Sequence, residues 1–178
     1  MTSLVDQVVA ISEALDETDI PWAFGGALAL AYATNEPRGT RDIDVNVFVP
    51  SAQARRVFRA LPRGVQHRQH DVDAARRDDQ VRLHWDHTPV DLFFAADWFH
   101  HEVAGRCRVV PFAGRTIRVL CAEDLAVFKA MFDRPKDWVD IATMVESGSL
   151  DLEVTASRLE SLLPGDARVQ RLRRLSED

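Results

Sequence analysis

The segment Asp42-Ile-Asp-Val-Asn-Val-Phe-Val49 is the clearest strand in the sequence. One isoleucine and three valines alternate with the other four residues, which is the period of two that a β-strand produces. The face that carries the valines is expected to lie in the core. Asp42 and Asp44 fall on the opposite face with Asn46 and Phe48, so two carboxylates leave the strand on one side, about 7 Å apart along the chain.

Outward from this strand, residues 81–85 and 90–94 alternate in the same way around Asp86-His-Thr-Pro89, which predicts a hairpin. Residues 63–79 are polar and are expected to be irregular or partly helical. The remaining predicted strands cover residues 22–24, 108–111 and 116–120, and the predicted helices cover about residues 3–15, 27–33, 51–61, 122–132, 136–146, 152–163 and 167–175, with a short helix near Asp97.

The strands fill the first two-thirds of the chain, and helices dominate the last third. This segregation indicates an α+β fold, in which a mixed β-sheet core is flanked by helices and followed by a helical C-terminal portion. We expect residues 1–120 to form the sheet core and residues 121–178 to form the helical portion of the same compact unit.

The composition limits the function classes open to the chain. Its 178 residues include 22 basic and 28 acidic side chains, and the net charge of -6 argues against a protein that coats polyanions through overall basic charge. A local basic patch is compatible with this balance. Cys107 and Cys121 are too few for a disulfide framework or a four-cysteine zinc site, and the histidine spacings match no closed zinc set.

The sequence contains no run of 18 apolar residues, which a membrane-spanning helix would need. The segment Met1-Thr-Ser-Leu-Val-Asp6 has no basic region and carries an early acid, so it does not have the pattern of a signal peptide. We therefore expect a cytoplasmic protein that does not bind membranes.

Three aspartates are the first candidates for a functional site. Asp91 lies on the second strand of the predicted hairpin, on the face opposite its apolar neighbours. If this strand lies beside the one with Asp42 and Asp44, the three carboxylates meet on one face and repel one another, and Mg²⁺ would relieve that repulsion. The alternative is that Asp42 and Asp44 only form the polar face of a half-buried strand.

Gly25-Gly26 is the second candidate, because it follows a short strand and precedes a helical run. Free backbone N–H groups at the start of a helix bind phosphate well. On its own, the pair is equally compatible with a tight turn. The glycine turn, the paired aspartates and the third strand aspartate together are much more specific than any one of them.

Lys129 is the third candidate, since it and Lys136 are the only lysines among the 22 basic residues. Lys129 borders the apolar stripe of a predicted helix. A compact ammonium suits a single phosphate oxygen. The alternative is a surface lysine whose stem covers apolar neighbours.

The segments Phe24-Gly-Gly-Ala27, Arg41-Asp-Ile-Asp-Val45 and Val90-Asp-Leu92 together resemble the polymerase-β-type nucleotidyltransferase superfamily. That superfamily has an apolar residue, Gly-Gly or Gly-Ser, a spacer, Asp-x-Asp and a later acid on a strand. The resemblance covers about residues 22–146.

A narrower resemblance is to the AbiEii/MenT toxin branch of this superfamily. It rests on Gly26-Ala-Leu-Ala-Leu30, on Thr40-Arg-Asp-Ile-Asp44 and on a later run with Glu123, Lys129 and Asp140. This run also contains Asp124-Leu125 and Arg134-Pro-Lys-Asp137.

The resemblance implies a role for each matching residue. Gly25 and Gly26 would contact the triphosphate through backbone groups, with Thr40 and Arg41 against phosphate oxygens. The implied catalytic residues include Asp42 and Asp44, which would hold Mg²⁺, and Asp91, which would complete the metal site. Lys129 is also implied to be catalytic and would bind phosphate. Arg134 and Asp140 are further implied nucleotide-binding residues.

The function that the resemblance implies is Mg²⁺-dependent transfer of a nucleoside monophosphate from an NTP, with a pyrimidine favoured, to the 3′ end of tRNA. Pyrophosphate would be released, and the blocked aminoacylation would stop growth. The implied partners are NTP, tRNA and a cognate antitoxin, and a phosphate on Thr40 would silence the enzyme. Thr40 could also only cap the loop before the strand.

Two other functions stay open. The same chemistry could act on a small molecule, as in antibiotic nucleotidyltransferases, or the chain could be an inactive nucleotide-binding module. The intact Asp42, Asp44 and Asp91 argue against an inactive module. Arginines at positions 55–82 and 168–174 are modest support for an RNA acceptor, although acids mixed among them are equally typical of a solvated surface.

Overall fold

The computed structural model describes residues 2–175. Seven strands form its sheet: β1 (Trp22–Phe24), β2 (Ile43–Val47), β3 (Val65–Gln66), β4 (Gln80–Trp85), β5 (Thr88–Phe94), β6 (Arg108–Phe112) and β7 (Arg115–Val119). The helices are α1 (Leu4–Asp16), α2 (Gly26–Thr34), α3 (Ala54–Ala60), α4 (Gln69–Asp78), α5 (Trp98–Ala104), α6 (Ala122–Phe132), α7 (Pro135–Glu146), α8 (Leu152–Leu162) and α9 (Ala167–Arg174).

The strands form one mixed sheet in the order β3-β4-β5-β2-β1-β7-β6. Two of its pairs are parallel, β2 with β5 and β1 with β7, and the other four are antiparallel. The predicted α+β class, with a mixed sheet and a helical C-terminal portion, is confirmed. The division at residue 120 stays a prediction, and its outer limits, Met1 and residues 176–178, lie outside the described residues.

The core explains why β2 lies at the centre of the sheet. Its apolar residues Ile43, Val45 and Val47 are fully buried, as the alternating pattern predicted. In the C-terminal portion, α6 is buried over most of its surface and contacts α2, α7, α8 and α9. The helices therefore cover the sheet next to β1 and β2, where the candidate residues lie.

The hairpin is confirmed, with β4 and β5 joined by the two-residue turn Asp86-His87. Asp86 adopts a positive φ of 52°, which such tight turns require. The predicted strand of residues 42–49 is shorter in the structure, since Asp42 lies in a bend before β2 and Phe48 follows its end.

Residues 63–79, which were expected to be irregular or partly helical, are the region where the prediction was least specific. They contain the short strand β3 and the complete helix α4. Only Val72 and Ala75 of α4 are buried, so the apolar signal of this helix is weak in the sequence. The predicted helix of residues 51–61 begins with a 3-10 turn at Ser51–Gln53 before α3. None of the helices within residues 2–175 has the length and apolar character to span a membrane.

Candidate active site

Asp44 and Asp91 lie directly opposite each other on the parallel strands β2 and β5. Burial, together with the negative charges of Asp42 and Asp91, raises the pKa of Asp44 to about 6. The three predicted carboxylates therefore influence one another across one face of the sheet. A site with this excess of negative charge favours a bound cation.

Thr40 holds Asp42 just before β2 begins. The Thr40 Oγ1 atom lies 2.8 Å from both the backbone oxygen and the Oδ1 carboxylate oxygen of Asp42. The Asp42 backbone N–H donates back to Oγ1 over 3.3 Å. This local network is the loop cap that the sequence left open as an alternative role for Thr40, and it places the hydroxyl beside a predicted metal ligand. Arg41 is exposed between the two residues.

Arg82 holds Asp91 from the other side. It lies opposite Asp91 on β4 and donates from Nε and Nη2 to the two carboxylate oxygens, over 2.7 Å in each case. These hydrogen bonds raise the pKa of the Arg82 guanidinium above its usual value. Both oxygens of the third acid are therefore engaged by protein.

The three acids are not gathered into a closed metal site. Within the described part of the chain, no group of three or more His, Cys, Asp or Glu side chains is arranged to hold a metal ion. Asp91 is paired with Arg82 and Asp42 is hydrogen-bonded to Thr40, and these contacts draw the two carboxylates away from a shared metal position. Carboxylate oxygens are the ligands that Mg²⁺ prefers, so the residue types fit a magnesium site although the three side chains are not brought together.

Gly25 and Gly26 lie against β2, with the Gly25 N–H donating to the Asp44 backbone oxygen over 2.9 Å. Gly26 begins α2 with a φ of +50°, and a Cβ there would overlap the Asp44 carboxylate. A Cβ on Gly25 would lie 2.6 Å from the Asn46 side-chain nitrogen. Gly26 needs glycine because its φ is positive and the site carboxylate lies against its backbone, whereas a side chain at Gly25 would displace the Asn46 amide.

Lys129 is a buried residue of α6, and its ammonium forms ion pairs with two carboxylates of α7. Its Nζ lies 2.7 Å from Asp140 Oδ2 and 3.6 Å from Asp137 Oδ1. Asp140 also accepts from Arg38 Nη1 over 3.0 Å. The loop before Asp42 is thus connected through Asp140 to Lys129.

Arg134 precedes α7 and donates two hydrogen bonds to Asp137, over 2.7 and 3.1 Å. Its guanidinium also lies over the Phe132 ring, 4.9 Å from the ring centre. Burial alone would raise the pKa of Asp137, but the hydrogen bonds and charge of Arg134, with the charge of Lys129, hold that pKa below its usual value.

Two neighbouring cavities lie along this face. The first, of about 300 Å³, is lined by the predicted residues Gly25, Gly26, Asp44, Lys129 and Arg134. The second, of about 430 Å³, is lined by Asp91 and again by Arg134. Thr40, Arg41, Asp42 and Asp140 are not part of either lining.

Three residues around the site were not singled out from the sequence. Arg82 could have been found from the hairpin register, because a two-residue turn places it opposite Asp91. Asp137 could be interpreted from the sequence only as an acid at the start of a helix. Arg38 meets Asp140 across 102 residues of chain, and no local pattern indicates such a contact.

The glycine-initiated helix, the aspartates of neighbouring strands and the adjoining lysine are the features that the sequence led us to expect of a nucleotidyltransferase. Residues 1–163 match the model of a family described as uncharacterised nucleotidyltransferase, NTP_transf_5, and the chain belongs to this family. The expectation of an enzyme of this class is confirmed. No curated protein matches the chain.

Solved structures of nucleotidyltransferases share the fold. ANT(2")-Ia in complex with adenylyl-2"-tobramycin has a TM-score of 0.61 at 18% identity, over 90% of this chain and 97% of that one. An antigenic nucleotidyltransferase-like protein from Paracoccidioides brasiliensis has a TM-score of 0.54 at 13% identity, over 93% and 90%.

The lincosamide antibiotic adenylyltransferase LnuA, bound to lincomycin, has a TM-score of 0.52 at 12% identity, over 78% of this chain and 94% of that one. At these identities the likeness shows the fold alone. The narrower resemblance to the AbiEii/MenT branch is not confirmed by the comparisons and stays a prediction.

Proposed function

We propose that the chain transfers a nucleoside monophosphate from an NTP, with a pyrimidine favoured, to the 3′ end of tRNA and releases pyrophosphate. The observation that carries the transfer chemistry is Asp44, which lies opposite Asp91 on β5 and against Gly26 at the start of α2. A phosphate-binding helix start and a negatively charged strand face thus adjoin, as phosphoryl transfer requires.

Asp42 and Asp44 are the residues that would hold Mg²⁺. When bound, the ion would offset the negative charge of the phosphates during in-line displacement. Asp91 can serve as a third ligand only if its pair with Arg82 opens, because both of its oxygens accept hydrogen bonds from that guanidinium. The acceptor hydroxyl oxygen would release its proton to water and bond to the α-phosphorus, while the bond between the α-phosphorus and the pyrophosphate oxygen breaks.

The triphosphate would lie in the first cavity, between the start of α2 and Lys129. Free N–H groups of the first helical turn face a bound anion. Lys129 would exchange part of its contact with Asp140 for a phosphate oxygen, since the carboxylate and the phosphate both offer an anionic oxygen to the ammonium. Arg134 lines the same cavity and would add a second cation.

An RNA acceptor is supported by the surface around α4. Arg55, Arg59 and Arg68 line a shallow surface cavity together with Gln69 and Val72 of α4. The same helix lines the second cavity through Asp71, Ala74 and Asp78. The basic residues therefore lie on one side of α4, where they could contact the phosphates of a polyanionic acceptor, whereas the α4 residues in the second cavity include two acids and no base.

The C-terminal arginines give less support for RNA. Arg168 pairs with Asp166 over 2.8 Å, and Arg171 lies 3.8 Å from Asp133. Charges that are already neutralised by acids of the same surface attract phosphates only weakly. Growth arrest, and control by a cognate antitoxin through Thr40, belong to this proposal on the strength of the AbiEii/MenT resemblance.

A small-molecule acceptor is the second candidate. The fold neighbours ANT(2")-Ia and LnuA modify antibiotics, and Asp71 and Asp78 in the second cavity would suit a cationic amino sugar. An inactive module is disfavoured because all three aspartates are present and two of them, Asp44 and Asp91, lie opposite each other on neighbouring strands.

The deciding experiment incubates the protein with each α-³²P-labelled NTP and Mg²⁺, first with total tRNA and then with a panel of aminoglycosides and lincosamides. Label on tRNA that is removed by 3′ exonuclease supports the proposal. Label on an antibiotic alone supports the second candidate. Asp44→Asn and an EDTA arm are the controls, and label that persists in either would contradict the transfer site.

A further inference from the structure

The second cavity contains an exposed aromatic ring, that of Phe132, to which the transfer chemistry assigns no role. Phe132 ends α6 with 45% of its surface exposed, which is unusual for a large aromatic residue. It lines both cavities, as do Phe93 and Arg134. An exposed ring between two adjoining cavities is placed to touch whatever occupies them.

The ring is part of a two-layer stack. The Arg134 guanidinium lies over it at 4.9 Å, and the Phe93 ring packs against it at a centre-to-centre distance of 5.8 Å and an angle of 63°. Arg134 is itself fixed by its two hydrogen bonds to the fully buried Asp137. These contacts hold the Arg134 guanidinium over the Phe132 ring, and the Arg134 side chain is about half exposed.

Planar, rigid and partly exposed groups of this kind stack on nucleobases. Aromatic rings and guanidinium planes are the surfaces on which proteins hold unstacked bases of single-stranded RNA. Asp91 lies in the second cavity, whereas Gly25, Gly26 and Lys129 lie only in the first. Arg134, the further cation proposed for the triphosphate, lines both cavities, so its charge can serve the donor while its planar face serves the acceptor. The side of the stack that faces the second cavity thus serves the acceptor.

We propose that Phe132 and Arg134 form a stacking platform for the terminal base of the acceptor RNA, and that the second cavity is the acceptor site. This inference rests on the proposed function, since it takes the acceptor to be the 3′ end of an RNA. Stacking on the platform presents the terminal ribose hydroxyls toward Asp91. It also explains why an aromatic residue remains exposed at this position.

The test compares Phe132→Leu, Phe132→Tyr and Trp98→Leu with the wild-type protein. Leucine keeps the apolar character of the side chain but has no aromatic ring, whereas tyrosine keeps the ring. Trp98 is the matched control, because it is an aromatic residue of similar exposure, 49%, that lines neither cavity. Circular dichroism and thermal unfolding establish that each variant is folded.

Two measurements are made on each protein. The first is the Kd of a fluorescein-labelled RNA ending in cytidine-cytidine-adenosine, by anisotropy without NTP. The second is the KM for that RNA and for the labelled NTP in the transfer reaction. We expect Phe132→Leu to weaken RNA binding and to raise the KM for RNA, each about tenfold, which is the effect of losing one stacked base. The KM for NTP should stay within about twofold of the wild-type value. Phe132→Tyr and Trp98→Leu should match wild type.

The outcomes separate this inference from the proposed function. An effect of Phe132→Leu on the KM for NTP alone, or equally on both substrates, would assign the platform to the donor and overturn the inference. No effect on RNA binding would overturn it as well. If the wild-type protein transfers nucleotides only to small molecules and does not bind the RNA, the proposed RNA acceptor is wrong and the inference with it.

Discussion

Arg82 and Asp91 face each other across the β4–β5 hairpin and are joined by two parallel hydrogen bonds of 2.7 Å. Asp91 is opposite Asp44 on its other side, so one carboxylate is shared between a cation of the protein and the face predicted to hold a metal. The Arg82 guanidinium is therefore the cation that pairs with Asp91 in this structure. Its presence makes Asp91 and Asp44 compatible as neighbours, since it offsets part of their repulsion.

The first prediction follows from this pair. Arg82→Gln releases both oxygens of Asp91, so we expect Mn²⁺, used as a spectroscopic substitute for Mg²⁺, to bind several-fold more tightly to the variant. Electron paramagnetic resonance titration of free Mn²⁺ measures this without turnover. Because the Arg82 side chain is 57% exposed, its loss should cost less than about 1 kcal/mol of folding free energy.

Arg115→Gln is the control for Arg82→Gln, because Arg115 forms an exposed ion pair with Glu13 away from both cavities. Equal Mn²⁺ affinities in wild type and Arg82→Gln would mean that Asp91 does not ligate the metal.

The second prediction concerns the pH dependence of stability. The folded-state pKa of Asp44 is raised to about 6 from a usual value near 4, chiefly by burial. The folded protein therefore binds the proton more tightly than the unfolded chain, so ionising Asp44 removes stability as the pH rises from about 4 to about 6. Above that window the charged carboxylate costs roughly 3 kcal/mol.

Asp44→Asn should therefore be more stable than wild type at pH 7.5 in EDTA, with the difference shrinking toward pH 4.5. Urea unfolding at both pH values measures it. The same variant should lack transfer activity, because it removes a predicted metal ligand. If Asp44→Asn is less stable than wild type at pH 7.5, the charged Asp44 carboxylate does not destabilise the folded protein, and this prediction is wrong.

The third prediction tests the close approach at the start of α2. Gly26→Ala places a methyl group where the Asp44 carboxylate lies, at a φ of +50° that side chains rarely adopt. We expect a loss of about 1–3 kcal/mol of stability and a loss of transfer that exceeds it. Gly114→Ala is the matched control, because Gly114 also has a positive φ, 76°, but has open space around it.

If Gly26→Ala and Gly114→Ala lose the same stability and keep the same activity, only the backbone conformation matters at these positions. Crowding against Asp44 would then have no part in the requirement for glycine at position 26.

The fourth prediction concerns Lys129. Lys129→Ala should raise the KM for NTP by one to two decades, because a charge-assisted contact is worth about 1.5–3 kcal/mol. Lys129→Arg should restore little, since a planar fork does not fit the space of an ammonium between Asp137 and Asp140. Lys136→Ala, which removes the exposed second lysine, is the control.

Removing Lys129 also leaves the buried Asp137 with one fewer cation, so a loss of stability is expected alongside the change in KM. Asp140→Asn separates the two effects, because it weakens the ion pair but keeps the ammonium. An unchanged KM in Lys129→Ala, at equal folded fraction, would show that Lys129 serves packing only.

The sequence predicted most of this architecture because its signals are local. Alternation in residues 42–49 and 90–94 placed Asp44 and Asp91 on the strand faces opposite their apolar neighbours, and the structure makes these strands neighbours. The helix α4 was not resolved from sequence because only two of its side chains contact the core. Contacts such as Arg38 with Asp140 depend on how distant elements pack, which no periodicity encodes.

The last prediction is that a phosphate on Thr40 silences transfer. The hydroxyl oxygen lies 2.8 Å from the Asp42 carboxylate, so a phosphate would add a charge of about -1.5 to -2 beside a predicted metal ligand. It would repel the incoming triphosphate and compete for the same cation. Protein with genetically encoded phosphothreonine at position 40 should therefore show little transfer and weak NTP binding, and phosphatase treatment should restore both. Full activity of the phosphorylated protein would leave Thr40 with only its role as a cap of the loop before β2.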